Sequence, residues 1–300
     1  METSTITKNN NQIEMNYTKK SKARDMFRKL TRSWTGMLGF CLIILVVLLS
    51  FFGEWIAPYN PMDAQFRDKL LPPLTDGHIL GTDQLGRDIL SRIIVGTRVS
   101  VIIGVSTALL AGIIGTVIGL IAGYFRGWID VVLMRIVDVQ LSFPFILLVL
   151  VINAVLGAGL TNIVISLALA GWVIFARVIR SEVLALREKE FITAAIATGV
   201  PKLEILVKHI LPNIFTPIII LASLQIGTYI IAEASVSFLG FGVQPPTPAW
   251  GNMLDEGKDY IFSSWWLITF PGIAIILTTL GVNLFGDWLR DTLDPELKGE

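Results

Sequence analysis

Six long apolar segments constrain the fold of this 300-residue chain more than any other feature. They cover residues 35–53, 99–123, 134–156, 160–178, 214–234 and 264–286. Each is close to the roughly 20 residues that an α-helix needs to cross the hydrocarbon core of a bilayer. Backbone amides in lipid must be satisfied within the segment, so the pattern predicts six transmembrane helices. The expected fold class is an all-α polytopic membrane protein.

The composition agrees with a membrane protein. Hydrophobic residues make up 53% of the chain and charged residues only 16%, with a mean hydropathy of +0.67. A soluble domain carries about a quarter charged residues. Cys41 is the only cysteine, which excludes an intrachain disulfide and a paired-cysteine metal or redox site.

The distribution of Lys and Arg predicts the topology. An even number of spans puts both termini on one side, together with the 124–135 turn and the 177–209 loop. That side carries eighteen of these cations and the other side six. Cationic loops stay inside, so both termini and the 177–209 loop are expected in the cytoplasm. The basic residues of the N-terminal tail also suit contact with anionic membrane lipid.

The stretch from Glu190 to Pro212 is the least membrane-like part of the apolar region. A helical run from Arg180 leads into Gly199, which can end a helix with a positive φ. Pro201 suits the first turn of a second helix, and Pro212 is expected to end that helix. One predicted apolar face of the second helix contains Leu203, Leu206, Val207, Ile210 and Leu211.

This stretch resembles the cytoplasmic loop of ABC importer permeases, a Glu-Ala-Ala…Gly…Ile-x-Leu-Pro pattern. Thr193 stands where that family usually has Glu, and His209 where it has Ile. The resemblance implies an ATPase-coupling loop that docks into a cleft of the ATPase subunit, and an ordinary amphipathic connector is the alternative. The residues assigned to the coupling loop are Thr193, Ala194, Ala195, Gly199, His209, Leu211 and Pro212.

Residues between the first two spans carry charges at helical spacing. Asp83, Arg87, Asp88 and Arg92 alternate in sign, which predicts an interfacial amphipathic helix. His78 alone predicts no metal site. Three short elements here, Gly81-Thr82-Asp83, Gly86-Arg87-Asp88 and Ser91-Arg92, resemble the segment before the permease core in the dipeptide/oligopeptide/nickel branch of the family.

The loop after the fifth span extends this resemblance. The run Ser237-Phe238-Leu239-Gly240, with Pro245, Pro246 and Trp250-Gly251 beyond it, is similar to the outer loop of the same branch. The chain is identified as a member of its second, C-type permeases. That implies type I ABC importer permease architecture and a peptide importer subunit in the bacterial cell membrane. A nickel or metal-chelate permease is the alternative substrate class.

The same resemblance implies the partners and the domain boundaries. The partners are a second homologous permease, two ATP-binding subunits, an extracytoplasmic peptide-binding protein and membrane lipid, with no nucleic acid. ATP and Mg are implied in the ATPases, and no cofactor in this chain. Residues 1–34 are predicted to be a largely disordered cytoplasmic tail, and residues 35–97 the first helix with the external amphipathic segment. Residues 98–287 are predicted to form the permease core, and residues 288–300 a cytoplasmic tail.

Three charged residues lie in or beside the predicted spans. Arg135, Asp138 and Glu233 are costly in lipid and indicate a partner or a water-filled path. An Arg135–Asp138 ion pair on one helix and a pathway role remain equally open. Pro144 is expected to kink the third span. Gly115, Gly119 and Gly123 predict close helix packing, either within the bundle or against the second permease.

Catalytic motifs are missing from the sequence. It contains no phosphate-binding P-loop, no HExxH metal site and no GxSxG nucleophile. Two histidines and one cysteine cannot form a transition-metal site. We therefore expect a non-catalytic permease without catalytic or metal-binding residues. A proton-coupled transporter using Asp138 and Glu233 is a less favoured alternative, and an intramembrane enzyme is disfavoured.

Overall fold

The computed structural model describes residues 25–26 and 28–293. Within them, β pairing is limited to two isolated bridges, and the fold is all-α as predicted. Two short 3-10 turns, Phe66–Asp68 and Lys258–Tyr260, lie outside the main helices. The main helices are α1 (Trp34–Ile56), α2 (Ile89–Phe125), α3 (Gly127–Leu141), α4 (Phe145–Leu156), α5 (Leu160–Arg187), α6 (Glu190–Ala197), α7 (Lys202–Phe238), α8 (Trp250–Gly257) and α9 (Trp266–Leu293).

Five of these helices, α1, α2, α5, α7 and α9, are each long and apolar enough to cross a membrane. The sixth predicted span, 134–156, is not one continuous helix, which corrects the prediction. It consists of α3 and α4, bent by 92° at a short break. Pro144 has no amide hydrogen, and the Phe143 amide turns back to the Gln140 carbonyl at 3.2 Å, so the helix ends here.

The glycines of α2 serve packing inside the chain. A Cβ at Gly119 would lie 2.7 Å from the Ala176 carbonyl oxygen of α5, and one at Gly123 would lie 2.8 Å from the Cβ of Val183. These distances leave no room for a side chain, so α2 and α5 meet backbone to backbone. Of the two interpretations of this glycine pattern, packing within the bundle is the one observed.

The prediction of an amphipathic helix around Asp83 is wrong. Residues 81–88 form a tight loop, and α2 begins only at Ile89, where the Asp88 carboxylate accepts the Ser91 amide at 2.8 Å. Asp83, Arg87 and Arg92 are buried rather than facing a membrane surface. A buried charge must be paired, and packing of the loop against α8 supplies the partner.

That partner is Glu256 of α8. Its Oε2 accepts from Arg87 Nη2 at 2.6 Å and from Arg92 Nη1 at 2.7 Å. Asp83 Oδ2 also accepts from both arginines, at 2.6 and 2.5 Å. The four side chains form an ion network that ties the loop before α2 to α8.

The predicted tails fall largely outside the described residues. Residues 28–32 of the tail predicted to be largely disordered are helical, while residues 1–24 lie outside the description. At the other end, α9 continues to Leu293, so the first residues of the predicted C-terminal tail are helical. The remainder of that tail lies outside the described part of the chain.

Candidate coupling loop and intramembrane charges

Gly199 ends α6 in the predicted way. Its φ is +79°, a conformation that disfavours side chains with a Cβ. The Gly199 amide donates to the Ile196 carbonyl at 3.1 Å, and the Val200 amide to the Ala195 carbonyl at 3.1 Å. This pair of bonds defines a Schellman motif, which satisfies the last carbonyls of the helix. The loop therefore has a fixed turn.

Two boundaries differ from the sequence-based prediction. The run from Arg180 to Gly199 is not one helix, because α5 ends at Arg187 and Lys189 is extended. Pro212 does not end the second helix either. It lies in the first turn of the α-helical part of α7 after Ile210, a position that tolerates the missing amide hydrogen. Helix α7 therefore runs without interruption from Lys202 to Phe238.

A π turn at Ile205–Ile210 changes the predicted apolar face. Its hydrogen bonds join residues five apart, as in the bond from the Leu211 amide to the Leu206 carbonyl. The α-helical spacing used for the prediction therefore fails. Ile205, Leu206 and Ile210 are buried, whereas Leu203 is 73% and Val207 54% exposed.

The buried side of the loop packs against the ends of neighbouring spans. Ile192, Ile205 and Ile210 form one cluster with Tyr124 of α2 and Val183 of α5. These contacts join the loop to two spans besides α7. The loop is therefore anchored to the bundle by a small core of its own.

Polar contacts reinforce this anchorage. Arg187 Nη1 donates to the Tyr124 carbonyl at 2.6 Å, and the Lys202 ammonium lies 5.9 Å from the centre of the Phe125 ring. Arg126 at the end of α2 forms an ion pair with Glu188, and its hydrogen bond and charge lower the pKa of that carboxyl. Both ends of the loop are thus held by the end of α2.

The residues predicted for the coupling loop divide into two groups. Thr193, Ala194, Gly199 and Pro212 are exposed, and His209 and Leu211 are partly buried. Ala195 is only 9% exposed and belongs to the buried cluster, so its side chain cannot face a partner. This corrects the expected role of Ala195, because the second alanine of the pattern packs on the chain itself.

Besides Ala194, the loop exposes several apolar side chains. We call them, with Ala194, the loop surface. The apolar members are Phe191, Ile196, Leu203 and Val207, each 45% exposed or more. A group of exposed apolar side chains on a segment predicted to lie outside the membrane is typical of a protein interaction site.

Asp138 does not pair with Arg135, which corrects the ion-pair interpretation. Its Oδ1 accepts from Arg177 Nη2 of α5 at 2.8 Å. Eight residues earlier in the chain, Asp130 accepts a two-pronged hydrogen bond from Arg180 at 2.5 and 2.6 Å. Both pairs join α3 to α5, since these helices pack side by side. Arg135 instead lines a groove beside Gln140 and Phe143.

Glu233 lies in α7 near its C-terminal end and is completely buried. The Ser237 hydroxyl donates to Glu233 Oε1 at 2.7 Å. The second carboxyl oxygen has no hydrogen-bond partner within the described part of the chain. The structure therefore keeps Glu233 apart from Arg135 and Asp138, and does not bring the three residues into one site.

Three residues of these networks are not predicted from the sequence. The sequence places Arg177 and Arg180 in the 177–209 loop, whereas in the structure they belong to α5. Glu256 gives no signal in the sequence, because it is a lone acid in a short helix. Two arginines three residues apart at the end of an apolar span could have indicated partners on a neighbouring helix.

Comparison with known proteins identifies the family. A profile described as "binding-protein-dependent transport system inner membrane component" matches residues 115–299, and one described as "N-terminal TM domain of oligopeptide transport permease C" matches residues 21–73. A dipeptide transport system permease DppC of Alkalihalophilus pseudofirmus is 42% identical over 95% of this chain and 93% of its own length.

Two further relatives have similar coverage. The di/tripeptide permease DppC of Pseudomonas aeruginosa is 39% identical, over 93% of each chain. The glutathione permease GsiD of Pectobacterium atrosepticum is 40% identical, over 92% of this chain and 91% of its own. The chain therefore belongs to the inner membrane permeases of binding-protein-dependent ABC importers, as a non-catalytic multi-pass subunit of the C type.

Proposed function

We propose that this chain forms half of the translocation path of an ATP-driven peptide importer in the bacterial cell membrane. A second homologous permease supplies the other half, two ATP-binding subunits bind ATP and Mg, and an extracytoplasmic protein delivers the peptide. The loop surface is the observation that supports coupling to the ATPases, because it consists of exposed apolar side chains on a loop with its own buried core.

The packing of the loop explains how coupling would work. The loop lies between α5 and α7, and its buried side contacts the end of α2. A displacement of the loop surface by closing ATPases is thus passed to three spans at once. The Schellman turn at Gly199 limits bending within the loop, so the spans move instead, and the path opens to one side and then the other.

The relatives favour peptide over nickel. The three relatives named above are permeases for dipeptides, for di- and tripeptides and for glutathione, all of which contain peptide bonds. The nickel alternative has no comparable support among them. Proton coupling through Asp138 and Glu233 also loses support, because the family's transport depends on a binding protein.

The test uses the complete importer in lipid vesicles, with uptake of a labelled dipeptide or tripeptide as the readout. We expect uptake that requires ATP, the second permease and the loaded binding protein, and that persists when a proton gradient is dissipated. Asp138→Asn and Glu233→Gln should leave that ATP requirement unchanged. Uptake of nickel but not peptide, or uptake driven by a proton gradient without ATP, would contradict the proposal.

A further inference from the structure

A groove of about 540 Å³ lies along the broken span. Val132, Val139 and Phe143 line it from α3 and the break, and Leu148 lines it from α4, with Leu169 of α5 completing the wall. Nearly all of these side chains are apolar. The volume is within the range of about 300–1,000 Å³ that is usual for sites that bind small molecules.

Arg135 contributes the charge in this groove. Among residues 25–26 and 28–293, no carboxylate lies within 4.0 Å of its guanidinium. The two acids of its own helix are engaged elsewhere, Asp138 with Arg177 and Asp130 with Arg180. The side-chain amide of Gln140, the other polar group of the groove, donates to the Leu169 and Ala170 carbonyls. The groove therefore presents one uncompensated cation among apolar walls.

The position of Arg135 argues against contact with lipid tails. It lies eight residues after the start of α3, about 12 Å along the axis at 1.5 Å per residue. A charge inside a membrane-spanning segment usually faces a wet cavity or a protein partner. The exposed side of the middle of α2, with Leu109, Ile113 and Val117, is by contrast apolar and suits lipid. The groove therefore suits a polar ligand or a protein partner better than lipid tails.

We propose that the Arg135 groove binds the C-terminal carboxylate of the peptide during its passage, with the apolar walls holding the last side chain. The inference rests on the proposed function. A planar guanidinium matches a carboxylate with two parallel hydrogen bonds. The C-terminal carboxylate is the anion that every linear peptide carries whatever its sequence. A site of this kind accepts peptides of varied side chains while requiring a free C-terminus.

The experiment compares a labelled tripeptide with its C-terminal amide, using the complete importer in vesicles. Both ligands are supplied at concentrations that saturate the binding protein, so that its own preference does not enter the rate. The variants are Arg135→Gln, Arg135→Lys and, as a matched control, Arg98→Gln. Arg98 is an exposed arginine outside the groove that pairs with Glu54 at 3.2 Å.

We expect Arg135→Gln to lower uptake of the free acid about tenfold or more, the usual effect of losing a hydrogen bond between charged groups. Uptake of the amide should change little, so the preference of the wild type for the free acid disappears. Arg135→Lys should keep part of that preference because the charge remains. Arg98→Gln should behave like the wild type.

Four results would overturn the inference. Equal losses for the acid and the amide would mean a structural role for Arg135. If Arg135→Gln reduces co-purification of the second permease, the anion that pairs with Arg135 belongs to that subunit. If Arg135→Gln has an effect only in vesicles with anionic lipid, the anion belongs to a lipid headgroup. Absence of peptide uptake by the wild type would refute the proposed function itself.

Discussion

Replacement of Gly199 by valine should uncouple transport without removing the protein from the membrane. The Gly199 φ of +79° costs a residue with a Cβ about 1–2 kcal/mol. No atom lies within 4 Å of the position that a Cβ would take, so the cost is conformational rather than steric. Since 1.4 kcal/mol corresponds to a factor of ten, the ratio of the native turn to other turn conformations falls about 5- to 30-fold.

The assay measures peptide uptake and co-purification of the ATPases, with the membrane level of this subunit as the reference. Both readouts should fall in Gly199→Val while the membrane level stays normal. Gly199→Asn is the matched control, since asparagine tolerates this conformation better than other residues with a side chain. Wild-type uptake in Gly199→Val, or equal damage from asparagine and valine, would refute the conformational argument.

Three other substitutions test separate parts of the structure. Ala194→Arg should reduce ATPase co-purification at a normal membrane level, whereas Ala195→Arg should lower the membrane level itself, because Ala195 is buried. Gly119→Leu should lower the free energy of unfolding of the purified complex by about 1–3 kcal/mol, because the added side chain overpacks the contact with α5. Gly272→Leu should have no such effect, because the space around Gly272 is open. Glu256→Gln should destabilise the complex by about 3–5 kcal/mol, because Arg87 and Arg92 then share one carboxylate; stability equal to the wild type would contradict the network.

Features that depend on neighbouring residues could be predicted from the sequence. The spans follow from runs of apolar residues, and the turn at Gly199 follows from the helix, glycine and proline around it. The break at Pro144 was expected as a kink, although its size of 92° was not. Local backbone chemistry decides these features, so no knowledge of the packing was needed.

Features that depend on which helices meet could not be predicted. Asp138 finds its partner 39 residues away, because α3 packs beside α5. Arg92 and Glu256 are further apart still in the sequence, and only the contact between the loop and α8 joins them. Ala195 is buried rather than exposed because it lies on the face of α6 that packs, with Ile192, into the buried cluster. A pattern of small residues predicts close packing without saying against what.

The most direct test of the coupling role is a cross-link from the loop surface. Ala194→Cys is introduced in a Cys41→Ser background, which leaves a single thiol in this chain, and the complete importer is treated with a short thiol-reactive photo-cross-linker. We expect a product that joins this chain to an ATP-binding subunit, and none from the buried Ala195→Cys. A cysteine at 194 that is labelled from outside, or that forms no product with the ATPase, would contradict it.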